Sequence, residues 1–196
     1  MRPAQALAYP GTIVDRVGVR SVARDAVLIV AASLFTAALA QVQIRLAFTP
    51  VPITGQTLAF LMSGAFLGGR RGALSQILYV LMGVAGLPFF AGQAHGLAVV
   101  LGPSGGYLVG GIVCAYGVGR LAQLGWDRRL GTALGAFLIG ELCVYAPGLL
   151  ELARFVGASH VLVDGLYPFV PGDVLKMLLA TGLLPLLWRL TGRQGT

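Results

Sequence analysis

Residues 72–119 read GALSQILYVLMGVAGLPFFAGQAHGLAVVLGPSGGYLVGGIVCAYGVG and contain no Asp, Glu, Lys or Arg. A helix that spans a bilayer needs roughly 20 mainly apolar residues, so this run is too long for one helix. Glycine and proline interrupt it at residues 86–88 and 102–106, where a helix is expected to break. The run therefore predicts two spanning helices, Gly72–Leu87 and Ser104–Gly119, joined by an apolar loop, Pro88–Pro103.

Segments with few charges lie on both sides of this run. They predict four more spans, Ala26–Ile44, Val51–Gly69, Leu130–Leu150 and Val170–Trp188. Hydrophobic residues make up 57% of the chain and charged residues 11%, whereas soluble domains carry roughly a quarter charged residues. We therefore predict an all-α polytopic membrane protein with six transmembrane helices at residues 26–190, between a cytoplasmic N-terminal segment (1–25) and a cytoplasmic tail (191–196).

The basic residues give the predicted orientation. If the spans alternate, one side holds most of them, namely Arg2, Arg16, Arg20, Arg24, Arg70, Arg71, Arg120, Arg128, Arg129, Arg189 and Arg193. The other side holds only Arg45 and Arg154, so the positive-inside rule places both termini in the cytoplasm. The loops on the outer side are rich in Gly, Pro and aromatic residues, and we expect them to fold over a ligand pocket that opens outward.

The net charge of +7 also raises the question of nucleic-acid binding. The basic residues form short clusters between apolar runs, without the basic stripe and exposed aromatic residues that single-stranded nucleic acids require. Nucleic acid is therefore excluded as a partner, and the bilayer is the predicted environment. No metal-ligand spacing and no nucleophile with a nearby base appears, so we expect no metal, no cofactor and no enzyme activity.

Two charged residues near the start of the last span are the strongest candidates for a binding site. Asp173 and Lys176 are three residues apart, so their side chains share a helix face and can interact. Charged groups inside a bilayer are costly and are therefore functional candidates by default. The alternative is a self-neutralising pair that reaches the outer interface.

Other polar residues fall inside predicted spans. Glu141, with Tyr145 one turn later, is either a structural acid hydrogen-bonded to another helix or a group with a ligand or coupling role. Gln76 and Tyr79 share one face of the third span and are interpreted as packing residues or as site residues.

The first span carries small residues four positions apart. They form either an internal packing face or a docking face for a partner helix, and comprise Ala32, Ser33, Thr36, Ala37 and Ala40.

Several short motifs occur in order along the chain, namely Thr49–Leu58, Leu67-Gly68, Arg71–Leu74, Leu78-Tyr79, Gly83, Gly86–Pro88, Phe90–Gly92, Leu101–Leu108, Tyr145 with Gly148, and Pro168–Lys176. Together they resemble the BioY family, the biotin-specific substrate-capture subunits of energy-coupling-factor (ECF) transporters. These matches cover about two-thirds of the chain. Gly55 departs from the pattern, in which a large apolar residue is expected before Gln56.

The resemblance implies a six-helix subunit of the bacterial cytoplasmic (inner) membrane that binds biotin from outside. It also implies a transmembrane coupling subunit, which would meet the small-residue face of the first helix, and two cytoplasmic ATPases; a homo-oligomer is left open. Asp173 and Lys176 are expected to bind the ureido group of biotin, and Arg45, Gln56 or a backbone amide its carboxylate. The other expected site residues are Gln76, Tyr79, Phe89, Phe90, Gln93 and Tyr145.

Three alternatives stay open at this point. A capture subunit for another vitamin, thiamine or riboflavin, has the same architecture, but a phosphorylated ligand would require more basic residues on the outer side. An intramembrane enzyme using Glu141 or Asp173 would require a second catalytic group, and the sequence shows no recognisable arrangement of this kind. A structural membrane protein without a ligand is the third.

Overall fold

The computed structural model describes residues 11–16 and 21–192 and is mostly helical. Within these ranges the α-helices are α1 (Val22–Gln41), α2 (Gln56–Leu67), α3 (Gly69–Val84), α4 (Leu97–Val100), α5 (Gly105–Gln123), α6 (Leu130–Val156), α7 (Val161–Gly165) and α8 (Val170–Gly192). Three short 3-10 helices cover Ile13–Arg16, Ala91–Gln93 and Trp126–Arg128. An antiparallel hairpin joins β1 (Gln43–Ile44) to β2 (Ile53–Thr54).

Each predicted span overlaps one of the six long helices, but several boundaries were wrong. The first span ends at Gln41, and the second helix begins at Gln56, because the residues between them form the hairpin. α6 continues to Val156, six residues beyond the predicted end, and includes Pro147. By length and apolar composition, α1 and α6 could each cross a membrane. The predicted tail continues α8 to Gly192, and residues 193–196 lie outside the described residues, as do Arg2 and Arg20 of the charge pattern.

Glycine residues on α5 allow α2, α3 and α6 to pack closely around it. A Cβ atom on Gly110 would lie 2.7 Å from the backbone of Val144 on α6. A Cβ on Gly119 would overlap the backbone of Gly68 and Gly69 at the junction of α2 and α3. Small residues permit this close approach of helices in lipid, where packing drives association. α5 is therefore the central helix against which the walls of the site are placed.

One end of the molecule, here called the arginine end, is held together by Arg71. Its guanidinium donates to Asp15 at 2.7 Å and to Asp25 at 2.9 Å, and thus connects the segment before α1 to the start of α3. Burial acts to raise the pKa of Asp15, but hydrogen bonds from Arg71 and Thr12 outweigh it, and the pKa lies below its ordinary value. At the same end, Trp188 of α8 donates to the Asp127 carboxylate at 2.7 Å.

The small-residue face of α1 packs inside the protein. Ser33, Thr36, Ala37 and Ala40 are buried, while Ala32 is half-buried. Thr36 donates to the side-chain oxygen of Gln76 on α3 at 3.0 Å. In this conformation the face therefore joins α1 to α3.

Candidate ligand-binding site

A cavity of about 350 Å³ lies at the end opposite the arginine end. This volume is within the range of small-molecule binding pockets, roughly 300 to 1,000 Å³. Its walls come from the hairpin and the Pro-rich loop within it, the starts of α2 and α8, the loop before α4, and the facing sides of α5 and α6. The loops that were predicted to fold over a pocket therefore contribute to the walls of one.

Asp173 and Lys176 lie together in the cavity wall. Lys176 Nζ is 2.8 Å from Asp173 Oδ1, which confirms the predicted contact within the helix. The exposed fractions of the two side chains are 6% for Asp173 and 15% for Lys176, so neither faces bulk solvent. Both residues belong to the first two turns of α8, whose start at Val170 directs them toward the cavity.

Two residues from other helices complete the surroundings of this ion pair. Thr57, near the start of α2, accepts a hydrogen bond from Lys176 at 2.8 Å and donates to Asp173 Oδ1 at 3.0 Å. Tyr145 of α6 donates to the other carboxylate oxygen, Oδ2. The cavity wall thus presents a carboxylate that accepts and an ammonium that donates, side by side. Such a pair is complementary to a ligand group that has N–H donors next to a carbonyl oxygen.

Aromatic rings form the apolar part of the wall. The Tyr107 ring meets Tyr145 edge-to-face at a centroid distance of 6.2 Å and stacks on Phe169 at 6.3 Å. The Tyr107 hydroxyl donates to the carbonyl of Gly165 at 2.8 Å, which holds the ring in place. Phe60 and Phe90 also line the cavity. An apolar wall with a few placed polar groups is typical of small-molecule sites.

The predicted site residues divide into two groups. Six line the cavity, namely Arg45, Gln56, Phe90, Tyr145, Asp173 and Lys176. The other four, Gln76, Tyr79, Phe89 and Gln93, are not among the lining residues. Tyr79 is fully buried behind the wall and accepts a hydrogen bond from Gln56 at 2.7 Å. Gln76 is buried between α1 and α3, where it accepts from Thr36.

Gln41, the last residue of α1, holds the loop that carries Phe90. Its amide nitrogen donates to the carbonyls of Phe89 at 3.2 Å and Phe90 at 3.1 Å. Its amide oxygen accepts from the backbone N–H of Gln93 at 3.1 Å. Gln93 has a positive φ of 62°, and these contacts fix the backbone there. The loop is therefore tied to α1 by one side chain.

The close approach of the chain to the end of α1 explains why position 55 is a glycine. Its N–H donates to the carbonyls of Leu39 at 3.1 Å and Val42 at 2.9 Å, at the end of α1. A Cβ atom at this position would lie 2.8 Å from the Leu39 carbonyl oxygen. A large apolar side chain would disturb this close contact, so glycine suits the position before Gln56.

Known proteins are similar to this chain over most of its length. The profile of the BioY family matches residues 11–193. The chain belongs to the BioY family. A protein from Rhizobium etli called "Biotin transporter BioY" is 37% identical over 145 residues, covering 70% of this chain and 78% of the relative. A protein of the same description from Thermotoga maritima is 34% identical over 154 residues, covering 78% of this chain and 90% of the relative.

A solved structure also matches this BioY-family chain. It is described as the S-component for biotin from an ECF-type ABC transporter. The TM-score is 0.77 with 25% sequence identity, over 87% of this chain and 95% of the solved chain. The chain therefore has the fold of a membrane transporter component.

Sequence reasoning missed several contributors to the site of this BioY-family chain, and three of them are Thr57, Tyr107 and Phe169. Thr57 bonds both members of the ion pair, and Tyr107 and Phe169 form the aromatic wall. All three fall within motifs of the family resemblance, and Thr57 follows Gln56 directly, so their positions could have been flagged. Of the two interpretations of Glu141, a structural acid hydrogen-bonded to another helix is not what the structure shows, because neither of its oxygens has a hydrogen-bond partner among the described residues. No group of three or more His, Cys, Asp or Glu residues in the described ranges could hold a metal ion.

Proposed function

We propose that this protein captures biotin as the S-component of an ECF-type transporter in the bacterial cytoplasmic membrane. The observation that carries the proposal is the Asp173–Lys176 pair, which is buried in the wall of a cavity of suitable size. Family membership supports the same ligand, since relatives at 34–37% identity are called biotin transporters. The protein itself is a transporter subunit and not an enzyme, and energy would come from partner ATPases.

The ureido group of biotin fits the polar part of the wall. It has two N–H donors and one polarised carbonyl oxygen, and Asp173 and Lys176 offer the matching acceptor and donors. In the proposed complex, Asp173 accepts from a ureido nitrogen and Lys176 donates to the ureido oxygen. Asp173 Oδ1 is already bonded by Thr57 and Lys176, so the ligand shares or replaces one of these bonds.

The rest of biotin would occupy the apolar and outer parts of the cavity. The bicycle would lie against Tyr107, Tyr145 and Phe90, which line the cavity. Tyr79 and Phe89 would support the cavity wall from behind, because the Tyr79 hydroxyl is hydrogen-bonded to both Gln56 and the Phe89 carbonyl. The carboxylate would meet Arg45 or Gln56, both of which line the cavity. Gln93 would hold the loop rather than touch the ligand.

The proposed orientation follows from the charges. With six transmembrane spans, the positive-inside rule would place the arginine end in the cytoplasm. The cavity would then open to the outer side, where biotin would be captured. The short α2, with 12 residues, packs against α3 and α5 and would cross the bilayer together with the apolar segment before it.

The proposed transporter contains a transmembrane coupling subunit and two cytoplasmic ATPases. The small-residue face of α1 was the predicted contact with the coupling subunit, and four of its five residues are buried against the protein's own helices. Contact through these four residues would require α1 to move away from α3. Ala32 is half-buried and can be reached without such a movement.

Equilibrium binding of labelled biotin to the purified protein tests the proposal. Excess unlabelled biotin should displace the label, whereas excess thiamine or riboflavin should leave it bound. Displacement by thiamine or riboflavin would indicate a capture subunit for another vitamin. No binding of any of the three would overturn the proposed function.

A further inference from the structure

Glu141 is a buried acid without a described role in the proposed site. It lies in the middle of α6 and is 6% exposed. Neither carboxylate oxygen has a hydrogen-bond partner among the described residues. An ionised carboxylate without partners in an apolar environment is very costly, and a bound proton removes that cost. The position of Glu141 is therefore that of a group that holds a proton.

The charged groups of the binding site lie within electrostatic reach of Glu141. From α8, Asp173 and Lys176 both interact with it. From α6 itself, Tyr145 lies one turn further along and bonds Asp173. From α5, Cys114 is the titratable group that interacts with Glu141, and α2 has no titratable side chain. Lys176 is thus the cation of these elements that interacts electrostatically with Glu141.

Two carboxylates therefore act on one ammonium group: Asp173 by direct contact and Glu141 through its electrostatic interaction. Lys176 is held by Asp173 and Thr57, each at 2.8 Å, and this arrangement suits a Glu141 that carries a proton. When Glu141 loses its proton to water, its negative charge competes with Asp173 for Lys176. Lys176 has a flexible four-carbon stem and rotatable donors, so its ammonium group can move away from Asp173 toward Glu141.

We propose that Glu141 is a proton-binding site beneath the cavity and that its proton is required for tight binding of biotin. This inference rests on the proposed function, because Lys176 and Asp173 are the groups offered to the ureido group. Protonated Glu141 leaves the ion pair in the cavity wall, and ionised Glu141 draws Lys176 away from it. Biotin binding and proton binding are then linked, and each favours the other.

The test is biotin affinity as a function of pH. Buried carboxyl groups in proteins titrate as high as about pH 8 to 9, so the measurement should extend from about pH 6 to about pH 9.5. The wild-type protein should lose affinity by up to about tenfold per pH unit at the alkaline end, as expected for one linked proton. Glu141→Gln should retain the affinity of the acidic end throughout. Glu151→Gln, at the exposed end of the same helix, is the matched control and should follow the wild type.

The outcomes separate the two proposals. A wild-type affinity that does not change with pH would overturn the role of Glu141 and leave biotin capture intact. A loss of affinity that persists unchanged in Glu141→Gln would also overturn it, since a group other than Glu141 would then cause the loss. No biotin binding at any pH would instead overturn the proposed function.

Calorimetry of the wild-type protein gives a second measure that needs no variant. At the alkaline end, biotin binding should take up as much as one proton, seen as a heat that depends on the ionisation enthalpy of the buffer. The same experiment on Glu141→Gln should show no uptake. If Glu141→Gln does not fold, the wild-type measurement alone still tests the role of Glu141, because biotin binding without proton uptake would overturn the inference.

Discussion

The hydroxyl of Thr57 lies 2.8 Å from Nζ of Lys176, although the two residues are 119 positions apart in the chain. The same hydroxyl donates to Asp173 at 3.0 Å, so one side chain of α2 bonds both charged groups of α8. This contact orders the polar part of the cavity before any ligand arrives. Such preorganisation lowers the cost of binding.

Replacement of Thr57 by valine should weaken biotin binding. The variant keeps the shape of the side chain but removes both hydrogen bonds to the ion pair. Hydrogen bonds to charged groups contribute about 1.5 to 3 kcal/mol, so the Kd for biotin should rise about 10- to 150-fold. Thr57→Ser keeps the hydroxyl and is the control. An unchanged Kd in Thr57→Val would show that the hydroxyl does not support the site.

Breaking the ion pair should have a larger effect. Asp173→Asn leaves Lys176 without its counter-charge, and removal of one partner of a buried pair costs about 3 to 5 kcal/mol, shared between stability and binding. We expect a biotin Kd at least about a hundredfold higher and a lower thermal midpoint. Lys176→Ala should weaken binding in the same direction. Unchanged biotin affinity in both variants would exclude the pair from the binding site.

Loss of the Gln41 side chain should speed release of biotin. Gln41→Ala removes the three hydrogen bonds that hold the loop around Phe90. A net contribution of about 1 kcal/mol corresponds to a dissociation rate about fivefold faster. The measurement is the release of labelled biotin after dilution. Gln123→Ala, at the arginine end, should release biotin at the wild-type rate, and equal rates in all three proteins would contradict the prediction.

Two glycines on α5 should respond in opposite ways to alanine. A Cβ on Gly119 would overlap the backbone at Gly68 and Gly69, whereas a Cβ on Gly117 meets nothing within 4 Å. Gly119→Ala should lower the thermal midpoint, because the helices must separate. Gly117→Ala should keep or raise it, since alanine favours a helix by up to about 1 kcal/mol. Equal midpoints for the two variants would mean that the close packing at Gly119 is not needed.

The ion pair at the arginine end should stabilise the fold less in acid. The pKa of Asp15 is lowered in the folded protein, so its ion pair with Arg71 stabilises the fold above the pKa of the unfolded chain, about 4. That contribution is lost as the pH falls through the lower pKa of the folded state. Asp15→Asn should therefore lower the thermal midpoint near neutral pH. In acid, the thermal midpoints of the variant and the wild type should lie closer together. Asp164→Asn, at the opposite end, should not change this pH dependence.

Contacts within one helix could be predicted from the sequence. The spacing of Asp173 and Lys176 predicted their meeting, because residues three apart in a helix share a face. Their direction relative to the other helices could not be predicted in this way. The same spacing rule paired Gln76 with Tyr79, yet both lie behind the cavity wall, where they bond Thr36 and Gln56.

The sequence by itself determined the number and the approximate positions of the long helices, since runs without charge and breaks at Gly and Pro are local properties of the chain. Only the tertiary structure decided which side chains meet across helices, as Thr57 meets Lys176 and as Gln41 meets the loop at Phe90. It also decided that Glu141 is buried without a hydrogen-bond partner among the described residues. The physical reason is that contacts between helices depend on how closely and at what rotation the helices pack. Small differences in that packing, such as the approach allowed by Gly110 and Gly119, decide which groups come within bonding distance.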